Sequence, residues 1–525
     1  MARYPPAMQF LIDLVRGPLA LPFTFAFLKF SVHIALWSRF GIHRDEYYFF
    51  ECARRLAWGY VDHAPFVPML AGLALWLPGP DLFWLRFFPA LGGAVAVFCA
   101  VLLVRDLGGG LFAGILAGTG MLIAGVYLRT GGLLHLPSFE AMFWTLATLL
   151  SLRAIKDDSR LWLAVGVVAG VGLLNKHTMA IWGLGAALSL LLSREGRAEL
   201  TRPYVYAGGL IAALIFAPNL YWQYTHDWPS LDFVASLGDE VTGKIPPALF
   251  LAGQLLYLHP LNAIVWISGL VFLLRRGDGA TRLPVIVYLT GLTLFLIASG
   301  KPYYLAPAYP PLLAAGGVAL EVWLRSAFAR RALVGALTMS GLLLALLSLP
   351  VLPLPVTDRV IAATLGWVVG RPEDLSGELH DQYGWRELAQ HLARIHARLT
   401  PADQAGAVVL ASNYGQAGAV DYYRRGTFEL PPAISGHMNY YFWGPAFAAP
   451  GDVRRNPRVV IAVGHSRAAL EHYFAEVTPA GFTPDHPLDM PGASNRPIFL
   501  CRQAHRPLPE VWEDWKRFGF GDADP

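Results

Sequence analysis

The chain has 525 residues, a formal net charge of +4, 55% hydrophobic residues and only 15% charged ones, where a soluble globular protein carries about 25% charged residues. So small a charge over this length leaves no electrostatic footprint for nucleic acid, and so apolar a chain is no disordered regulator. Three scattered cysteines, Cys52, Cys99 and Cys501, support neither a disulfide scaffold nor a zinc module, so the class is a polytopic membrane protein.

From Leu19 to Pro350, apolar runs alternate with short charged or Gly/Pro-rich breaks, and a spanning helix needs about 20 residues. The runs read as spans over 19–38, 84–104, 111–128, 138–153, 161–175, 177–193, 204–222, 248–274, 284–299, 304–324 and 332–350. Alternating from a cytoplasmic N-terminus puts Arg105, the group Arg153, Lys156 and Arg160, the group Arg194, Arg197 and Arg202, the group Arg275, Arg276 and Arg282, and finally Arg325, Arg330 and Arg331 inside, as the positive-inside rule requires. About eleven spans, to within one or two, leave the tail outside. Residues 1–355 are thus expected to form a transmembrane domain and 356–525 a soluble α/β domain. Lys29 sits mid-span, where a charge costs about 2.5–3.5 kcal/mol, so it must face the bundle or snorkel. The absence of an Ala-x-Ala-like site argues against a cleaved signal peptide. Gly108–Gly110 reads as a turn rather than a phosphate cradle, and no nucleotide fingerprint is present.

The outer loop over 41–80 carries more information. Residues 47–58 have helical spacing, with Phe49, Phe50, Ala53, Leu56 and Ala57 between Glu51, Arg54 and Arg55, which predicts an amphipathic helix in the membrane interface. Residues 65–77 are apolar but too short to span and contain Pro65 and Pro68, so an interfacial or re-entrant helix is expected. Asp45 and Glu46 open the loop. An adjacent acidic pair is more often solvated charge or a helix cap than a catalytic site. Here, however, Asp62, His63, His135, Glu140, Lys301, Tyr303 and Tyr304 all fall at predicted outer boundaries, where ionisable groups are costly and usually kept for function. A carboxylate there can deprotonate an incoming hydroxyl or amine, and Lys301, Arg86 or Arg129 can hold a phosphate. His63, His135, His226 and His259 lack tight ligand spacing, so a divalent metal is compatible but not required. Lys176 is either a snorkelling helix-end residue or part of the substrate cavity. Trp37, Trp58, Trp84, Trp222 and Trp228 read mainly as an aromatic belt.

The segments RDEYYFFECARRLAWGYVDHAPF, WLRFFPALGG, LLHLPSFEAMFW, LLNKHTMAI and SGKPYYLAPAYPPLLAAG, in that order, resemble the bacterial family 39 glycosyltransferases. This C-type membrane fold includes protein O-mannosyltransferases, the lipid A aminoarabinose transferase and rhizobial galacturonosyltransferases. The resemblance covers the membrane part, while ASNYGQAGAVDYY and ISGHMNYYFWGP resemble the tail of uncharacterised members. It implies that Asp45 is the general base, or orients the acceptor, with Glu46 in support. It also places substrate-binding roles on Asp62, His63, Glu140 and the segment Lys301, Pro302, Tyr303 and Tyr304. Two positions depart from the pattern: Ala64 stands where the family often has the first proline, and Glu140 where it commonly has Asp. The implied reaction is inverting transfer of a sugar from a polyprenyl-phosphate carrier to an envelope acceptor, at the outer face of a bacterial inner membrane, without a soluble cofactor.

In the tail, helices are expected over 385–399, 416–424 and 467–474, and strands over 407–411, 459–463 and 497–501. The Asn413-Tyr414-Gly415 turn follows a strand, where α/β domains place ligand loops. Residues 435–445 suit either sugar stacking or packing. Two other function classes stay open: a transporter or flippase, favoured by Lys29 and Asn175-Lys176, and a structural component of an envelope-polymer machine.

Overall fold

The computed structural model describes residues 17–241, 245–369, 373–486, 488, 494–520 and 524. It divides into two compact units, one of Met1–Trp37, Phe83–Tyr221 and Val241–Val351, the other of Ser38–Leu82, Trp222–Glu240 and Leu352–Pro525.

In the first unit every expected span finds a helix. Those of Asp81–Asp106, Pro203–Thr225, Pro302–Trp323 and Ala327–Ser348 are long and apolar enough to cross a membrane alone. Ala20–Ala35, Leu111–Ile123, Leu161–Asn175, Met179–Leu192 and Leu283–Ile297 are apolar but shorter, so length and composition do not by themselves yield eleven crossings. Two expected spans are interrupted. Helix 111–123 stops at Ala124, whose backbone is extended, and resumes as Gly125–Thr130. The 248–274 run is two helices, Pro247–Leu258 and one ending at Arg276, bent by 100°. The break is at His259 (φ 81°), which precedes Pro260, and a residue before proline is disfavoured in the α conformation.

Lys29 takes the inward option. It is buried and donates to the Tyr127 carbonyl at 2.5 Å, while His33 Nε2 lies 2.9 Å from the Leu128 carbonyl. Both side chains thereby serve carbonyls of the short Gly125–Thr130 helix. Small residues allow the close crossings such a bundle needs: a Cβ at Gly118 would lie 2.5 Å from the Phe25 ring, and Gly269 and Gly316 face backbone of Leu312 and Val265. At Gly108–Gly110 the chain turns (Gly108 φ 83°). The Glu321 carboxylate accepts from Gly110 N–H at 2.6 Å and Phe112 N–H at 3.2 Å, so a side chain of the protein already fills the place a phosphate would take.

The second unit holds a five-stranded sheet of β1 (Ala407–Ala411), β2 (Ala433–Ile434), β3 (Val459–Val463), β4 (Phe474–Phe482) and β5 (Pro497–Ala504), in the order β2-β1-β3-β5-β4. Strand β1 runs parallel to β2 and β3, with Val409 opposite Ile461, while β5 is antiparallel to β3 and β4. Strands β1 and β3 are buried along their whole length, as continuous apolar runs covered on both faces should be. Segment 222–240 belongs here through Gln223 Nε2, which donates to the Tyr60 carbonyl at 3.0 Å, and Ser236 Oγ, which donates to the Phe518 carbonyl at 2.7 Å.

The outer loop's Arg44–Arg54 helix is largely covered by protein, with Glu46 to Cys52 all buried. One side lies on the Tyr414–Tyr423 helix, where a Cβ at Gly418 would sit 3.0 Å from the Tyr47 backbone, and Phe50 stacks on Tyr422 with ring centres 5.3 Å apart. The charged positions are paired within the protein. Glu51, fully buried, receives Arg55 at 2.7 Å and both terminal nitrogens of Arg425, one at 2.9 Å. The Phe66–Trp76 helix is eleven residues long, too short to span, as expected. Segment 435–445 packs rather than presenting a sugar platform: the Asn439 Oδ1 accepts from Val61 N–H at 3.1 Å, and Tyr440 donates to Asp421 at 3.1 Å.

Removing Glu51 by Glu51→Ala leaves two arginines facing an apolar seam. Because both are partly exposed, the expected loss is on the order of 2 kcal/mol, read as a lower melting temperature of the purified protein. Burial pushes the Asp421 carboxyl up to about 6, with Glu51 adding to the effect. A raised carboxyl favours the folded state at low pH, and that contribution is lost as pH rises through about 6. Asp421→Asn should therefore flatten the dependence of melting temperature on pH between about 4 and 6.

Candidate active site

The sequence-derived site residues fall into two groups, one in each unit. In the second unit, His43 caps the Arg44–Arg54 helix. Its Nδ1 accepts from Asp45 N–H at 3.2 Å, and Glu46 Oε2 accepts from His43 N–H at 2.8 Å, completing a capping box. Glu46 is fully buried and fixes the turn from which Asp45 projects. The Asp45 side chain keeps 27% of its surface and accepts a 2.6 Å hydrogen bond from the Tyr414 hydroxyl. Arg44 Nε is 3.6 Å away, and Arg44 and His43 also face Asp381, at 3.3 and 3.7 Å. Burial pushes the Asp381 carboxyl up, with Arg44 and His43 opposing.

Asp62 accepts from the Tyr48 hydroxyl at 2.8 Å. Burial pushes its carboxyl up, against the pull of neighbouring His63. His63 is buried between Tyr48, Phe49 and Tyr60, with Nδ1 3.0 Å from the Ala64 carbonyl and Nε2 3.7 Å from Cys52 Sγ. Burial also pushes the Cys52 thiol up, so it is an inert neighbour rather than a nucleophile.

In the first unit the chain brings Glu140, Lys176 and Tyr304 together from three distant segments. Lys176 Nζ is 2.8 Å from Glu140 Oε2 and 4.5 Å from the centre of the Tyr304 ring, and Thr178 donates to the other Glu140 oxygen. Asn175 donates to the Leu136 carbonyl at 3.0 Å, which ties the 175–178 turn to the start of the Pro137–Lys156 helix. Lys176 is thus held within the protein by Glu140, with only a fifth of its side chain exposed. Tyr303 packs edge-on to Tyr304, with centres 4.8 Å apart. Lys301 precedes the Pro302–Ala308 turn of 3-10 helix and is half-buried; Arg129 lies near the end of the Gly125–Thr130 helix. Neither cation has a side-chain hydrogen bond or ion pair among the described residues, whereas Arg86 is buried within the Asp81–Asp106 helix.

The four histidines considered for a metal are each engaged locally. His135 bonds Ser138 at 2.6 Å, His226 lies against Trp222 with ring centres 4.0 Å apart, and His259 accepts from Leu261 N–H at 3.2 Å. Among the described residues no three His, Cys, Asp or Glu side chains gather as a metal-holding group. The sequence reading passed over His43, Tyr48, Thr178, Asp381 and the role of Tyr414. Only Tyr414, in the turn after a strand, carried a signal.

Residues 62–222 match the family model described as dolichyl-phosphate-mannose-protein mannosyltransferase, a stretch containing Asp62, His63, Arg86, Arg129, Glu140 and Lys176. Among solved structures, ArnT from Cupriavidus metallidurans in the apo state is similar over 94% of this chain and 98% of its own, with a TM-score of 0.59 and 16% identity. The same protein bound to undecaprenyl phosphate gives 0.59 and 15% over equal coverage. This is the C-type membrane glycosyltransferase fold. The resemblance drawn from the sequence is borne out by the matched segment and by the fold, and a multi-pass membrane architecture comes with it. No curated protein matches the chain.

Glu140 and Lys176 form a close acid–base pair in the first unit, 2.8 Å apart. In a double-mutant cycle of Glu140→Gln and Lys176→Met, the effects on thermal stability should be non-additive, with a coupling of about 1–3 kcal/mol.

Proposed function

We propose that the chain is an inverting glycosyltransferase that moves a sugar from a polyprenyl-phosphate carrier to a cell-envelope acceptor. The acceptor class is lipid A or core, a glycolipid, a polysaccharide or a protein. The reaction takes place at the outer face of a bacterial inner membrane, with the tail in the periplasm. The observation that carries the reading is Asp45: a carboxylate at a helix start, reached by solvent and oriented by a 2.6 Å hydrogen bond. The family model over 62–222 and the fold shared with a structure binding undecaprenyl phosphate support the choice of donor.

In this reaction the acceptor hydroxyl or amine gives its proton to Asp45 as it attacks the anomeric carbon. The bond from that carbon to the phosphate oxygen breaks, polyprenyl phosphate leaves with the electron pair, and a single displacement inverts the centre. The phosphate gains charge as it departs, which calls for cations placed to receive it. Lys301 and Arg129 are assigned to it, with Tyr303 and Tyr304 beside Lys301. Glu140 and Lys176 are assigned to the sugar, and Asp62 and His63 to substrate alongside Asp45. Arg86, buried in the Asp81–Asp106 helix, is assigned to the phosphate as a third cation. No soluble nucleotide or required metal enters the scheme. The transport alternative relied on Lys29 and Asn175-Lys176. Lys29 is bound to the Tyr127 carbonyl and Lys176 to Glu140, arrangements that serve a fixed framework as readily as a moving one.

The test is to purify wild type and Asp45→Asn and incubate each with a panel of undecaprenyl-phosphate-linked sugars and envelope acceptors. Wild type should release undecaprenyl phosphate and label an acceptor. A folded Asp45→Asn protein should be slower by about 100-fold or more. Equal rates for the two proteins would remove Asp45 as the base.

A further inference from the structure

We propose that Tyr414, a residue of the tail, is a positioning residue for Asp45: its hydroxyl fixes the orientation of the carboxylate and favours its ionised form. The inference rests on the reading of Asp45 as the base.

Tyr414 is built to hold one pose. Its ring lies between Tyr48, 4.7 Å away centre to centre, and His437, 5.0 Å away. The His437 imidazole is fixed in turn. Its Nδ1 accepts from Tyr414 N–H at 3.3 Å, which leaves the proton on Nε2 to be donated to the Gly519 carbonyl at 2.8 Å. Tyr48 is tethered by its hydroxyl, which donates to Asp62 and accepts from Asn439 N–H at 3.2 Å. Asn413 caps the Tyr414–Tyr423 helix by accepting from Gln416 N–H at 3.0 Å. A Cβ at Gly415 would lie 3.0 Å from Arg44 Cβ, so the two helix starts are seated against each other. The result is a 2.6 Å O–H···O⁻ contact, within the range of charge-assisted bonds. Burial pushes the Tyr414 phenol well above its ordinary range, so it remains a donor throughout the working pH range.

The other charged groups around Asp45 do not duplicate this. His43 and Arg44, on its own helix, face Oδ2 and Oδ1 at 3.8 and 3.6 Å. Asp381 draws on the same two cations, Glu378 acts on Arg44, and Asp62 adds negative charge from the loop. The local field is thus a balance of two cations against several acids. A hydrogen bond donated to a carboxylate favours the ionised form, and its loss in Tyr414→Phe, which keeps both stacking contacts, should move the group upward.

The experiment uses the full chain in lipid nanodiscs and the undecaprenyl-phosphate-linked sugar that wild type turns over in the panel above. Tyr414→Phe should keep the wild-type melting temperature and the KM for donor, lower kcat roughly tenfold, and shift the acid limb of the kcat/KM profile upward by about one pH unit. Independently of turnover, a fluorotyrosine placed at position 414 should show a fluorine NMR signal that moves with pH in a single step, and Asp45→Asn should abolish that step. A Tyr414→Phe protein with wild-type kcat and pH profile, or a fluorine signal that ignores Asp45→Asn, overturns the proposal. If Asp45→Asn is inactive while Tyr414→Phe is unaltered, only the role of Tyr414 falls. If Asp45→Asn is fully active, the base assignment falls and this inference with it.

Discussion

A side chain at position 418 would crowd the backbone of Tyr47 at 3.0 Å, and the seating of the Arg44–Arg54 helix on the Tyr414–Tyr423 helix depends on that space being open. With the Tyr414–Tyr423 helix set directly on Arg44–Arg54, Tyr47 and Tyr423 bring their hydroxyls to 3.0 Å and Phe50 lies flat on Tyr422. Glu51 comes within reach of Arg425. The same approach carries Tyr414 to Asp45. One close crossing of two helices thus fixes both the ionic seam and the surroundings of the acidic pair.

The first unit uses buried polar groups in the same sense. Lys29 and His33 are costly in an apolar helix, and each is satisfied by a carbonyl of the segment that follows the break at Ala124. Further along, Gln254 donates to the Pro302 carbonyl at 2.9 Å and accepts from Tyr309 at 3.0 Å, which ties the helix before the 100° bend to the segment that follows Lys301. Broken helices need such partners because backbone groups left open within a bilayer have no water to meet them.

The helices of the membrane part were legible because apolar length is a local signal: Asp81–Asp106 and Leu161–Asn175 lie where the runs predicted. Strands β1 and β3 were equally plain, being short apolar runs bounded by turns. Strand β4 was not, since it lies at a sheet edge with Glu476 exposed and Pro479 inside it, and edge strands tolerate such residues. The amphipathic pattern of 47–58 marked a helix, which runs from Arg44 to Arg54, but not the protein seam it packs into. Its arginines and Glu51 suit a headgroup layer as well as a protein seam, and the partner that decides, Arg425, stands more than 370 residues away. Of the candidate residues, Asp45, Glu46, Asp62 and Glu140 were marked by their position at predicted outer boundaries. Thr178 and Asp381 were not, because a single hydroxyl or acid in polar sequence carries no periodic signal.

The second unit is drawn from three stretches, 38–82, 222–240 and 352–525, with the apolar helices of the first unit strung between them. During synthesis the earliest stretch emerges first and its cover emerges last. Tyr47, Phe50 and Glu51 therefore wait, without the helix that buries them, until ribosomes have passed Arg425. A chain stopped short of that point would display an unpaired acid and bare aromatic surface. The order of translation itself thus places a checkpoint on this protein: only a chain translated past Arg425 can hide its own 41–80 loop.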